Sequence, residues 1–101
     1  MELRLLFDRQ ALTDLAAIRD YLIAEAGTVI AERVRTHLRN RMESLRHNPR
    51  IGVRASEPDI RVLPPARYPY RIYYTILPNA IVILHVRHSA RRDPDFEALS
   101  N

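Results

Sequence analysis

The residues best suited to bind a ligand or catalyse a reaction are basic and aromatic side chains in the last third of the chain. Arg71 and Tyr73 are two positions apart in an alternating segment, so their side chains should share one side of a strand. Arginines can hold phosphate, a tyrosine can stack on a base and a histidine can move a proton, so the group could bind an RNA backbone. The group comprises Arg71, Tyr73, Arg87, His88, Arg91 and Arg92.

Metal-free RNA cleavage is the reaction that this group could perform. It needs a base for the 2′-hydroxyl, an acid for the leaving oxygen and a cation for the phosphorane. Arg71, His88 and Arg91 could be assembled into that set. No Asp or Glu lies on the strands near Arg71, so the base would rest on one histidine. The sequence therefore leaves open whether the group is catalytic or only a binding surface.

Other kinds of chemistry have little support in the sequence. There is no cysteine and no Gly-x-Ser-x-Gly motif, and two glycines do not make a phosphate-binding loop. His85 and His88 should point to opposite faces of a strand, and His37 and His47 are ten positions apart on one helix. We therefore expect no metal site and no cofactor.

All the basic side chains are arginines, and the formal net charge is +4. This charge suits an acidic protein segment or a nucleic acid as partner. The second predicted helix is rich in arginine and could receive an acidic amphipathic segment. The candidate contacts for that segment are Arg35, Arg39 and Arg46.

Two amphipathic helices are predicted after a short strand over residues 2–7. Asp8 can cap the first helix, over 9–26, and Gly27 can end it. Thr28 can cap the second, which ends near Asn48-Pro49. The short turn between them predicts an antiparallel helical hairpin. The apolar stripes are Ala11, Leu15, Ile18 and Leu22 in the first helix and Ala31, Val34, Leu38, Met42 and Leu45 in the second.

Three strands are predicted after a loop over residues 49–59. They span 60–63, 70–76 and 81–87, and the last two form a hairpin. Residues 81–84 are apolar on both faces, which indicates a central strand. A short turn of helix is predicted in the charged tail near Phe96 and Leu99.

The predicted fold is α+β: an N-terminal strand, an antiparallel helical hairpin and a three-strand antiparallel meander in one twisted sheet. The helices should cover one face and leave the other partly open to a partner. We expect a single domain over residues 1–101. Charges interrupt the N-terminal apolar run and no segment is apolar over a membrane-spanning length, which favours a cytoplasmic protein with no membrane contact.

In this order the motifs resemble the ParE/RelE superfamily of type II toxins over nearly the whole chain. The motifs are Ala11, Leu15, Ile18 and Tyr21-Leu22 in the first helix; Leu45 and Asn48-Pro49; Gly52; residues 70–74 (YRIYY); and Ile81-x-Ile83 followed by Val86-x-His88-x-x-Arg91. The resemblance implies a RelE/ParE-like fold. It also implies a cognate antitoxin whose C-terminal segment wraps the toxin and covers the exposed sheet edge or the helical hairpin.

Two branches of the superfamily imply different targets. RelE-like members cut mRNA on the ribosome and use an arginine at the position that Arg71 matches. ParE-like members lack most of that basic set and poison DNA gyrase. The ending at residues 88–94 (HSARRDP) resembles the ParE side, and no lysine matches those of RelE-like sites, although Arg54 or Arg61 could substitute. We therefore expect a gyrase inhibitor, with a ribosome-dependent endoribonuclease as the alternative and a non-toxic basic module that binds nucleic acid as a third possibility.

Overall fold

The computed structural model describes residues 2–96 as two helices and one five-stranded sheet. The elements in chain order are β1 (Arg4–Phe7), α1 (Arg9–Ala26), α2 (Thr28–Ser44), β2 (Val53–Arg54), β3 (Arg61–Leu63), β4 (Tyr70–Leu77) and β5 (Ala80–His88). The predicted α+β class is confirmed. Leu99, part of the predicted turn of helix in the tail, lies outside the described residues.

The helical hairpin depends on local signals at its turns. The side chain of Asp8 caps α1 by accepting the backbone N–H of Gln10 at 3.0 Å. Gly27 ends α1 with φ at +90°, a conformation that a residue with a side chain rarely adopts. The prediction that Thr28 caps α2 is wrong. Thr28 is already the first helical residue and Gly27 occupies the cap position, with no side-chain hydrogen bond.

The strand order in the sheet is β1-β5-β4-β3-β2. β1 pairs with β5 in parallel, and the other pairs are antiparallel. The predicted three-strand meander is wrong by one strand, because β2 extends it to four. The sequence pattern indicates a loop at β2 because two residues, Val53 and Arg54, are too few to show an alternation.

The core lies between the helices and the sheet face that we call the inner face. The predicted stripe of α2 is buried along its length, whereas in the stripe of α1 only Ala11 is fully buried. Ile81 and Ile83 of β5 are 0% exposed, and β5 has a neighbouring strand on each side, as predicted for a central strand. The inner face is formed by Tyr70, Ile72, Tyr74, Ile81, Ile83 and Val86.

The loop before β2 is tied to the core through one hydroxyl. Tyr74 Oη donates to the carbonyl of Pro49 at 2.7 Å and accepts the N–H of Gly52 at 2.9 Å. Gly52 is buried so close to this ring that a Cβ there would lie 2.5 Å from the hydroxyl and 2.9 Å from the carbonyl oxygen of Val62. A glycine is thus required at position 52, because the loop passes so close to Val62 of β3 and Tyr74 of β4.

Within residues 2–96, neither helix is apolar enough over a sufficient length to cross a lipid bilayer.

Candidate functional site

Four side chains form a block on the outer face of the sheet, the face turned away from the helices. β4 and β5 place Arg71 opposite Arg87 and Tyr73 opposite His85. The two residues on each strand are two positions apart, so all four point to the same face. The prediction that Arg71 and Tyr73 share one face is therefore confirmed. We call these two residues, with His85 and Arg87, the outer-face block.

Residues 91–96, which we call the C-terminal strap, lie over this block. The ring of Phe96 packs edge-on against Tyr73 and His85, with centroids 5.4 and 6.2 Å apart. Pro94 and Phe96 are both buried although they belong to no strand of the sheet. The expectation that the outer face stays open is therefore only partly correct, because an apolar side chain from the tail seals its centre.

Polar contacts hold the strap to the two arginines. Arg71 donates to the carbonyl of Arg91 and lies 3.4 Å from the carboxylate of Asp93. Arg87 Nη1 donates to the carbonyl of Arg92 at 3.3 Å. Even so, the Nε atoms of Arg71 and Arg87 are buried without a hydrogen-bond partner. The strap therefore accepts hydrogen bonds from both guanidinium groups but leaves their Nε atoms without an acceptor.

Tyr73 lies at the centre of the contact between sheet and strap. It is 1% exposed, its hydroxyl donates to Asp93, and the Arg71 guanidinium carbon is 5.8 Å from its ring centroid. Burial raises the pKa of Tyr73 to about 12, and the hydrogen bond to Asp93 adds to the rise. Tyr73 therefore stays protonated and donates across the ordinary pH range.

The structure does not bring together the three residues that cleavage of RNA would require. His88 pairs with Tyr70, and its ring meets the Tyr70 ring edge-on at 5.5 Å, so it lies on the inner-face side while Arg71 is on the outer face. His88 Nδ1 also accepts the backbone N–H of Ala90 at 3.0 Å. Arg91 is exposed, and its carbonyl rather than its side chain contacts Arg71. The exposed basic side chains at this end of β5 are His88, Arg91 and Arg92.

Sequence reasoning missed an acid–histidine pair at the edge of β5, in which His85 is buried and Asp14 is partly buried. Asp14 of α1 contacts His85 Nδ1 at 2.8 Å and accepts the backbone N–H of Val86 at 3.0 Å. Gln10 Nε2 donates to the other carboxylate oxygen at 2.9 Å. Asp14 appears in the sequence only as a polar residue of α1, and nothing local links it to a strand that follows in the last third of the chain.

An apolar groove runs between the two helices and β1. Its volume is about 350 Å³, and its apolar lining includes Phe7, Leu15 and Ile18. Phe7 is 38% exposed and the α1 stripe is only half-buried beyond Ala11, so the hairpin does not close over its own apolar surface. Its charged lining residues are Arg19, Arg35, Arg39 and Glu43, and we call the exposed Arg35 and Arg39 its rim.

Of the three arginines predicted to receive an acidic segment, two lie at this groove and one does not. Arg35 and Arg39 are exposed, and Arg35 has a weak contact with Glu32 at 3.6 Å. Arg46 turns back to the residues just before β1, where its Nε donates to the carbonyl of Leu3 at 2.8 Å, and it also pairs with Glu43 and Glu2. Arg46 is thus engaged within the chain.

Within residues 2–96, no three His, Asp or Glu side chains converge in a way that could hold a metal ion.

The chain matches a family of toxins over most of its length. The family model described as "ParE toxin of type II toxin-antitoxin system, parDE" matches residues 5–93. Toxin RelE2 of Caulobacter vibrioides is 34% identical over 84 residues, which cover 81% of this chain and 90% of RelE2.

Solved structures of the same architecture come from two systems. A chain of the chromosomal ParDE toxin–antitoxin system from P. aeruginosa is similar with a TM-score of 0.78 at 24% identity, over 86% of this chain and 96% of that one. The isolated E. coli RelE toxin is similar with a TM-score of 0.57 at 20% identity, over 97% of this chain and 96% of that one. At these identities the structural matches establish the fold.

Proposed function

The chain belongs to the family of ParE toxins of type II toxin–antitoxin systems, and we propose that it arrests growth by binding DNA gyrase and is neutralised by a cognate antitoxin. In this function the toxin acts by binding, without catalysis of its own. We propose that it acts in the cytoplasm, the compartment of such a target.

We favour gyrase over mRNA as the target because Arg71 and His88 lie on different sides of the sheet. A metal-free ribonuclease needs its base, acid and phosphate-binding cation within hydrogen-bond reach of one phosphodiester. Here the cation candidate is on the outer face beneath the strap, whereas the only exposed histidine of the set is on the inner-face side. This arrangement supports a binding role for the cationic end of β5.

The surface proposed to contact gyrase is the exposed end of β5 and the start of the strap. His88, Arg91 and Arg92 supply its side chains. Arg71, Tyr73 and Arg87 contribute indirectly, because they fix the backbone of residues 91–93 by hydrogen bonds. The neighbouring side chains of Arg91 and Arg92 are suited to contact an acidic surface on the target protein.

The test is a supercoiling assay with purified gyrase and stoichiometric toxin. We expect the wild-type toxin to abolish supercoiling and R91Q/R92Q to require about tenfold more protein, as for the loss of well-placed interface charges. The matched control is R9Q/R33Q, which removes the same charge from two exposed arginines of the helices. Unimpaired supercoiling at stoichiometric toxin would refute the proposal.

Expression in cells separates the alternatives. A gyrase inhibitor should cause filamentation and a DNA-damage response while transcripts stay whole. Cleaved transcripts, together with loss of toxicity in R71A and H88A, would instead support a ribosome-dependent endoribonuclease. Unimpaired growth with abundant folded protein would support a non-toxic basic module that binds nucleic acid.

The groove between the hairpin and β1 supports the antitoxin part of the proposal. Its half-buried apolar lining and its arginine rim match an acidic amphipathic segment, whose apolar face would cover Phe7, Leu15 and Ile18 while its carboxylates approach Arg35 and Arg39. We propose that the antitoxin supplies this segment from its C-terminal part. A short gene beside the toxin gene, encoding a DNA-binding half and an acidic tail, would be the expected source.

A further inference from the structure

A second concave surface lies on another flank of α2 than the groove. It is a shallow depression of about 710 Å³ between α2 and the loop that leads into β4. The exposed side chains of Arg33, Thr36 and Asn40 line it from the helix, where their spacing of three and four positions puts them in one row. Arg67 and Tyr68 line it from the loop. Among residues 2–96, none lines both the depression and the groove.

A strained turn and two contacts with α2 fix the loop side of the depression. Arg67 has φ at +67°, in the left-handed region that a residue with a side chain rarely adopts. The N–H of Tyr68 donates to the carbonyl of Ala66 at 2.7 Å, so Arg67 is the centre of a three-residue γ-turn. His37 Nε2 donates to the same carbonyl at 2.7 Å, and its ring meets the Tyr68 ring edge-on at 5.1 Å. The depression is therefore already formed before any partner binds.

Two guanidinium groups border the depression, Arg33 from the helix and Arg67 from the loop. Neither forms an ion pair with another of residues 2–96. The guanidinium carbon of Arg67 lies 5.5 Å from the centroid of the Tyr68 ring. Glu32 is the only acid among the described residues that line the depression, and it also lies 3.6 Å from Arg35. Positive charge is therefore in excess on this surface.

The other lining residues favour a protein segment over a nucleic acid as the ligand. A nucleic-acid strand carries one negative charge about every 3.4 Å along a duplex, and such a dense row of charges would also meet the carboxylate of Glu32. A peptide can instead place separate carboxylates at the two arginines and an amide N–H at Glu32. Val29, which is 66% exposed, offers apolar contact, and Thr36 and Asn40 offer hydrogen bonds to a peptide backbone.

We propose that this depression binds an acidic segment of a protein partner, with carboxylates of the segment paired to Arg33 and Arg67. An arginine fork binds a carboxylate through two parallel hydrogen bonds. A strained backbone persists only where surrounding contacts enforce it, and such positions cluster at binding sites. The surface is separate from the groove and from the end of β5, so it is independent of the gyrase and antitoxin contacts proposed above. Full inhibition of gyrase by R9Q/R33Q is expected for the same reason.

The test measures binding of a labelled peptide of alternating glutamate and serine to the full chain by fluorescence anisotropy. We expect R33Q/R67Q to weaken binding at least about tenfold, because both charged partners of the carboxylates are removed. The matched control R35Q/R39Q removes two exposed arginines from the same helix at the groove and should keep most of the affinity. The ring signals of His37 and Tyr68 in NMR spectra should shift when the peptide binds the wild type, since both rings line the depression.

The variant R67G separates a role in binding from a role in folding. Glycine adopts positive φ without steric cost, so R67G removes the guanidinium group and the backbone strain together. We expect its midpoint in urea denaturation to be no lower than that of the wild type, while its affinity for the peptide falls. An arginine that served only the fold would give the opposite result, a lower midpoint with full binding of the peptide.

Each of the following results would overturn the proposal. Equal weakening by R35Q/R39Q and R33Q/R67Q would assign the peptide to the groove or to net charge. Loss of peptide binding in the toxin–antitoxin complex would show that the antitoxin covers this surface. Tighter binding of an oligouridylate than of the peptide, lost in R33Q/R67Q, would assign the surface to a nucleic acid. A wild-type dimer that R33Q/R67Q dissociates would assign it to a second copy of the chain.

Discussion

The carboxylate of Asp14 and the imidazole of His85 join the first helix to the last strand, with Nδ1 and Oδ2 at 2.8 Å across 71 positions of the sequence. The contact lies where β5 loses its neighbour, because β1 ends at Phe7 and pairs only as far as Ile83. Beyond that point Asp14 accepts the backbone N–H of Val86 at 3.0 Å. The pair therefore closes the sheet edge that β1 leaves open.

Replacing Asp14 should destabilise the fold more than replacing any exposed acid of the helices. D14A leaves the amide of Val86 and the buried His85 ring without their partner, which should lower the free energy of unfolding by about 2–4 kcal/mol. The control D20A removes an exposed ion pair with Arg19 and should cost at most about 0.5 kcal/mol. Urea denaturation measures both, and equal losses of stability in the two variants would contradict this role for Asp14.

The Gly52–Tyr74 contact should behave as a coupled pair. G52A places a Cβ 2.5 Å from the Tyr74 hydroxyl and should cost about 1–3 kcal/mol through overpacking. Y74F should cost about 1–3 kcal/mol because the buried N–H of Gly52 loses its acceptor. Since Y74F also removes the atom that G52A clashes with, the double variant should cost less than the sum. Strict additivity in urea denaturation would show that the hydroxyl is not the point of strain.

The helices and the main strands could be predicted because their signals are local. The apolar spacing of α2 places Leu38 and Met42 in the core, and Asp8 and Gly27 mark the ends of α1. The alternation of β4 places Arg71 and Tyr73 on one face. These features depend on side chains within a few positions of each other, which a single sequence contains.

The candidate site could be predicted only in part, because its geometry depends on register and on long-range packing. The pairing of Tyr70 with His88 determines that His88 lies on the face opposite Arg71, and no local pattern reveals that register. The burial of Phe96 against Tyr73 likewise depends on the direction of the chain after β5. A sequence shows which cations are near one another in the chain, but the sheet decides which of them meet.

The raised pKa of Tyr73 predicts a loss of stability in alkali that depends on this residue. The folded state holds the proton up to about pH 12, whereas an unfolded tyrosine releases it near its ordinary value of 10.0. The folded state thus binds the extra proton in that window, so its contribution to stability is present below pH 10 and is lost as the pH rises through the folded pKa.

The variant Y73F should remove this part of the alkaline dependence. Its urea midpoint should start lower at neutral pH, since the bond to Asp93 is absent, and should then fall less steeply than the wild-type midpoint above about pH 10. Burial also raises the pKa of Tyr70 and of Tyr74, so some slope should remain in Y73F. The exposed Tyr21 provides the control Y21F, and identical slopes for Y73F and Y21F would exclude the assigned role of Tyr73.

Substitutions at the groove should separate the electrostatic from the apolar part of antitoxin binding. R35E/R39E reverses the charge at the rim, so it should slow association and weaken binding by about ten- to a hundredfold at low salt, with a smaller effect at high salt. I18Q places an amide on the half-buried apolar lining and should instead speed dissociation at every salt concentration. The control R50E/R54E reverses the same charge at exposed positions on and just before β2. Surface plasmon resonance with the co-encoded antitoxin measures both rates, and if R50E/R54E slows association as much as R35E/R39E, net charge rather than the groove rim guides the partner.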